Sequence, residues 1–170
     1  DSTVCERYGM QEGARKGYNP KKPGRPSHHP LKAGLGCGYV VNLWNRRGDS
    51  HTAHQSIAFY EQTRQELLSA VRIRWVLADS GFADDNFLAH LEQQNQRYVV
   101  ALRLTAYVQQ AIRDIREWKE LQPGLEVAHI TAALSTWPKS RRLVVIRQHV
   151  PTRPKATGKQ PLLFQDLEDH

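Results

Sequence analysis

Two short acidic turns carry the residues best suited to chemistry. Asp79 follows the apolar run Val76-Leu77-Ala78 and leads into Ser80-Gly81-Phe82, and Asp1 leads into Ser2-Thr3. An Asp before Ser-Gly at a strand end is most often a turn former or helix cap. The carboxyl ends of strands are also where working residues sit in open α/β sheets. If the strands behind Asp1 and Asp79 are neighbours, both carboxylates point into one site. Such a pair of oxygen ligands suits Mg²⁺, which keeps several waters and binds phosphate beside one or two carboxylates. Two such ions activate a nucleophile and stabilise the leaving oxygen of an in-line displacement. That chemistry requires a polyanionic substrate.

The segment Arg72–Leu104 positions Asp79. Val76-Leu77-Ala78 suits a strand buried on both faces. Phe87, Leu88 and Leu91 share one face of a helix starting near Asp84 or Asp85, whose carboxylates suit a helix N-terminus. Tyr98–Leu104 reads as a second buried strand, so the segment is strand, acidic turn, helix, strand.

Asp1–Cys5 reads as the tail of a strand. Residues 9–30 read as a loop, because Gly9, Gly13, Gly17, Gly24, Pro20, Pro23, Pro26 and Pro30 forbid a long helix or central strand. Arg15, Lys16, Lys21, Lys22 and Arg25 make this loop basic, and Tyr18 among them is placed to stack on a base or sugar. Phosphate contact is the functional reading and a solvated basic loop the plain one. Lys32–Gly38 suits a flexible or tightly turning segment, without the Lys-Ser/Thr and flanking elements of a phosphate loop. Tyr39–Trp44 reads as a strand ended by Arg46-Arg47-Gly48. Asp49 or Ser50 then caps a helix through about Ala70, with Ile57, Ala58, Leu67 and Leu68 buried. His51 and His54 stand i, i+3 at its first turn, without a third metal ligand in evidence. Val108, Ala111, Ile112, Ile115 and Trp118 keep a helical period, which Pro123-Gly124 terminates. Glu126–Ala133 and Arg142–Val150 read as strands joined near Pro138. Thr152–Lys159 reads as a basic loop, and Leu162–Phe164 as the start of another strand.

The 170 residues can hold one domain with a core, or a core plus a smaller insertion. A hydrophobic content of 39% and a mean hydropathy of −0.63 describe a soluble chain without a membrane span or a signal-peptide pattern. The start at Asp1 and the end at His170 read as those of a fragment. The net charge of +7 and isoelectric point near 9.6 favour an anionic partner such as nucleic acid. Cys5 and Cys37 form no CxxC pair, which argues against a disulfide framework or zinc knuckle and suits a reducing cytosol.

DST, then YGMQEGARKGYNPKKPGRPSHHPL, then ADSGF, with EWKELQPG and RRLVVIRQ downstream, resembles the DDE transposases of bacterial insertion sequences. Their order and spacing cover nearly the whole chain. The resemblance implies an RNase H-like α/β fold, a mixed sheet flanked by helices, with a β-rich insertion. It divides the chain into a partial catalytic core over residues 1–104 and an insertion region, helix then β-rich, over 105–170. Asp1 and Asp79 match the family's first and second catalytic Asp, and are the implied ligands of Mg²⁺ or Mn²⁺. The implied activity is metal-dependent cleavage at transposon ends and joining of the freed 3′-hydroxyl to target DNA. The implied partners are both DNAs, with room for a homodimer in the synaptic complex and none for a membrane. A bacterial, nucleoid-associated location follows. Lys16, Lys21, Lys22 and Arg25 are the candidate phosphate contacts, followed by Arg46, Arg47 and Arg103.

The chain departs from the family pattern twice. The third acid, a Glu in a Tyr…Arg…Glu setting, has no match, because Asp166, Glu168 and Asp169 lack that context. The 170 residues alone are therefore expected to be inactive. Family members also carry an apolar strand where Lys32–Gly38 stands. Two other readings share these residues: an RNase H-like metal-dependent nuclease, and a decayed remnant that only binds DNA.

Overall fold

Short strands at the start of the chain build a small basic sheet. β1 (Cys5–Glu6), β2 (Arg15–Lys16) and β3 (Pro26–His28) pair antiparallel in the order β1-β3-β2. The Pro- and Gly-rich segment is thus a loop pinned by two strands of two and three residues. The computed structural model describes residues 1–17, 19, 22–51, 53–67 and 71–149. Tyr18, Lys21, Leu68, Thr152–Lys159, Leu162–Phe164, Asp166, Glu168 and Asp169 lie outside the described residues.

β4 (Leu31–Gly34) and β5 (Val40–Trp44) form an antiparallel hairpin. The hairpin forms although glycine occupies the expected apolar strand. Its register shifts between Ala33 and Gly34, and Gly38 closes the turn at φ 96°, a conformation glycine adopts without a Cβ penalty. The backbone of Asp1 extends this pair: its amino group donates to the Lys32 carbonyl and its carbonyl accepts from the Lys32 N–H, both at 2.8 Å. Ser2 bridges Leu31.

α1 (Ser56–Glu66) starts later than the expected Asp49 or Ser50. Residues 53–55 turn instead, because the Arg46 guanidinium takes the carbonyls of His51 and His54 at 3.1 and 2.6 Å. Those carbonyls would otherwise open the helix. The buried face is Ser56, Phe59, Tyr60 and Thr63, with Ile57 partly buried against the core and Ala58 exposed, and Leu67 is the C-cap.

β6 (Val76–Ala78) pairs parallel with β7 (Tyr98–Val100). α2 (Asp85–Gln93) connects them. The Asp84 side chain caps α2, accepting from the N–H groups of Asn86 and Phe87, and Phe87, Leu88 and Leu91 face inward as their spacing requires. The two strands are not buried on both faces. Val76, Ala78, Tyr98 and Val100 pack on the core, whereas Leu77 and Val99, directly paired, are 73% and 58% exposed. Period-2 alternation sends these two to the outer face, which the described residues leave open. The core of this unit is Leu31, Phe59, Tyr60, Phe82, Phe87 and Leu91. Strand β7 ends at Val100, before the expected Leu104.

The chain divides into two compact units, Asp1–Thr105 with Thr136–Pro138, and Ala106–Ser135 with the described residues from Lys139 on. The second unit opens with α3 (Ala106–Arg113), which stops short of the expected Trp118: a tighter bond from the Ile115 N–H to the Ile112 carbonyl ends the turn. β8 (Lys119–Gln122), β9 (Leu125–Ala132) and β10 (Arg141–Gln148) form an antiparallel sheet in the order β10-β9-β8. β9 and β10 lie where the sequence puts them, paired over eight residues each. Gly124, at φ 76°, turns β8 into β9. The described chain is therefore a mixed α/β protein of several small sheets and helices.

Candidate functional site

Different elements of the first unit hold the two acidic residues: Asp79 lies in a turn, and Asp1 in an extended segment bridged to β4. Asp79 terminates β6, where the Ala78 carbonyl still accepts from the Ala101 N–H beyond β7. Its side chain Oδ1 accepts the Gly81 N–H at 2.9 Å and caps the one-turn 3₁₀ helix Ser80–Phe82. Phe82 drives that turn into the core, its ring 6.0 Å from that of Phe87. The capping role expected of an Asp-Ser-Gly turn is therefore real, and it occupies one carboxylate oxygen while Asp79 stays exposed.

Asp1 is held from the other side by its paired backbone bonds to Lys32. Burial lowers the pKa of its amino group from the usual value, Asp79 raises it, and Lys32 lowers it further. The Asp79 carboxylate and the Lys32 ammonium thus act on the Asp1 amino group in opposite senses. Lys32 was missed among the candidate contacts because its segment reads only as a glycine-rich turn. Among the described residues no cluster of three or more His, Cys, Asp or Glu side chains is arranged to hold a metal, so His51 and His54 remain without a third ligand. The His51 ring accepts the Ala53 N–H instead.

The basic candidates divide by environment. Lys16, Lys22, Arg25, Arg47 and Arg103 are exposed. Lys22 Nζ donates to the Tyr8 hydroxyl at 2.6 Å and pairs with Glu6 at 2.9 Å, which raises the lysine pKa. Arg25 lies over the same Tyr8 ring, 4.7 Å from its centroid. Tyr8 is an exposed aromatic flanked by two cations, a contact feature that its isolation in the sequence concealed. Arg47 pairs with Asp49 at 2.9 Å.

Arg46 is not a surface contact. It is 6% exposed, and its guanidinium donates to the carbonyls of His29, His51 and His54. Burial lowers its pKa from the usual arginine value.

A model of the transposase DDE domain matches residues 1–156. The chain belongs to this family. The DDE domain also resembles a solved structure described as the cryo-EM structure of a piggyBac transposase synaptic complex with hairpin DNA, at 14% identity and a TM-score of 0.46. That likeness covers 94% of this chain and 34% of the other, so the DDE domain described here spans about a third of that protein's length. Comparison with curated proteins returned no match.

Proposed function

We propose that the chain is the catalytic core of a DNA transposase of a bacterial insertion sequence, on an RNase H-like framework, cleaving transposon ends and joining them to target DNA. What supports this reading is membership of the DDE family, together with the placing of Asp79 in the turn after β6 and its electrostatic influence on the Asp1 amino group. Residues 1–104 are the core in this reading, and 105–170 an insertion.

The side chains at the site suit a hard divalent cation. Asp1 and Asp79 are both exposed carboxylates, and oxygen donors are what Mg²⁺ or Mn²⁺ selects. Asp1 and Asp79 would hold it, and when bound it supplies charge neutralisation at the attacking and leaving oxygens. Asp79 Oδ1 is fixed by the Gly81 N–H, so its carboxylate is oriented before any ligand arrives. Lys32 stands where it can face the phosphate, and Lys16, Lys21, Lys22, Arg25, Arg47 and Arg103 supply sequence-independent attraction. The third acid is contributed from outside the described residues, and the 170 residues alone do not turn over. DNA ends, target DNA and a second transposase copy are the partners, in the bacterial nucleoid.

The test uses the complete reading frame that carries this chain, Mg²⁺ and a labelled duplex bearing the element's end. Cleavage and joining by the parent and neither by Asp79→Asn are expected. Asn keeps the cap to Gly81, so folding is retained. Undiminished turnover in the variant removes Asp79 from the chemistry. Cleavage without joining by the parent makes the protein a nuclease.

A further inference from the structure

An open cleft of about 880 Å³ lies at the amino end of α1, lined by Arg46, Arg47, Ser50, His51, His54 and Gln55 among others. Two features make it positive. Helix α1 has no side-chain cap: Gln55 holds the N-cap position at φ 64°, and only its carbonyl bonds to the helix. The Ala53 carbonyl takes the Ser56 N–H at 3.1 Å, and the helix dipole at this end meets no capping side chain. Arg46, more than nine-tenths buried in the cleft wall, spends three hydrogen bonds on carbonyls. Its Nη2 is buried with no partner. Among the described residues no carboxylate pairs with Arg46, and the Asp49 carboxylate in the same cleft is engaged by Arg47. A buried guanidinium that meets only neutral carbonyls lacks the counter-charge that buried cations ordinarily have.

We propose that this cleft binds one backbone phosphate of DNA, distinct from the Asp1–Asp79 turns and independent of divalent metal. The amino end of α1 supplies the donors at its floor, with the charge of the buried Arg46 guanidinium behind it, and Arg47 and Ser50 stand at its rim. Planar guanidinium donors and helix N-termini are both established partners of phosphate. The surroundings favour a DNA backbone over a free ion. Arg47 bridges His28 of β3. A Cβ added to Gly48 would meet the Arg15 carbonyl of β2 at 2.4 Å. The cleft loop is therefore packed against the basic sheet carrying Arg15 and Lys16. One phosphate in the cleft would be followed by its neighbours along that sheet.

This inference rests on the DNA-directed reading above, and its test is run without metal so that the two fail separately. Binding of a short duplex to the full chain is measured in EDTA across a salt series, for the parent and for Gln55→Asp. Gln55 is exposed, and Asp tolerates a positive φ better than most residues, so the variant folds while placing a built-in anion at the same helix end. Gln65→Glu, at the far end of α1, controls for one added negative charge. The expected result is a log K against log salt slope shallower by about 0.9 in Gln55→Asp, the loss of one phosphate contact, and unchanged in Gln65→Glu. Inorganic phosphate is expected to raise the melting temperature of the parent and not of Gln55→Asp. Equal slopes in the parent and both variants overturn the proposal. Protection by inorganic phosphate with unchanged slopes also overturns it, because the cleft then takes a free ion and not DNA.

Discussion

Replacing Leu91 with Ala tests whether the Asp79 turn is held by a packed core. Leu91 is fully buried in the cluster with Leu31, Phe59, Tyr60, Phe82 and Phe87. Three of these neighbours, Phe82, Phe87 and Leu31, hold the 3₁₀ turn after Asp79, helix α2 and the strand to which Asp1 pairs. The substitution removes three carbons, worth about 2.4 kcal/mol at roughly 0.8 kcal/mol per methylene. The cavity adds about 24 cal/mol per Å³ left unfilled. Partial collapse of a Leu-sized hole then gives a total of about 3–4 kcal/mol, inside the span measured for such changes. A domain with about 5–15 kcal/mol in hand loses a large fraction of its stability. Urea unfolding followed by tryptophan fluorescence reads the effect, with Trp44, edge-on to Phe59 at 5.4 Å, reporting on this core. The exposed Gln93→Ala on the same helix is the control and stays within about 0.5 kcal/mol. A loss below about 1 kcal/mol for Leu91→Ala would refute the packing described here, and with it the claim that core burial positions Asp79.

Three further outcomes follow from particular contacts. Asp84→Ala removes the acceptor of two N–H groups at the start of α2 and costs about 1 kcal/mol, read by thermal unfolding; Asp84→Asn recovers most of it. Gly17→Ala sets a Cβ 1.9 Å from the Gly48 carbonyl oxygen, a clash with backbone, so the sheet β1-β3-β2 loses amide-exchange protection while β8–β10 keep theirs. The hydrogen bond from His90 holds the Glu61 carboxyl below its usual pKa, with Arg64 adding to the effect and burial opposing it. A depressed folded pKa stabilises the protein above the unfolded value of 4.5 and loses that contribution as pH falls through the folded value. Stability against pH in Glu61→Gln should therefore fall less steeply below about pH 4.5 than in the parent.

The parts that sequence made legible are those governed by local rules. Asp84 and the spacing of Phe87, Leu88 and Leu91 specify α2 without outside help, and the apolar runs on either side place β6 and β7. The eight-residue strands β9 and β10 are long enough to show themselves. What stayed hidden depends on distant partners. An apolar triplet does not say how many of its faces are covered, so the exposure of Leu77 was unreadable. β8 is exposed at every position, with Leu121 its one apolar residue, and has no periodicity to detect. The start of α1 is set by Arg46, which reaches five and eight residues along the chain to hold carbonyls that a helix would use. The same contacts turn an arginine that reads as a surface cation into a buried one. The pairing of Asp1 to β4 and the packing of the Asp79 turn through Phe82 onto the core that Leu31 of β4 shares depend on such distant partners too.

The central claim is that Asp1 and Asp79 form one metal-binding pair. Mn²⁺ titration followed by electron paramagnetic resonance, on the parent, Asp1→Asn and Asp79→Asn, tests it most directly. The account predicts that each single variant loses the same bound Mn²⁺ while retaining the parent's melting temperature. Mn²⁺ bound with parental affinity by both variants would contradict it.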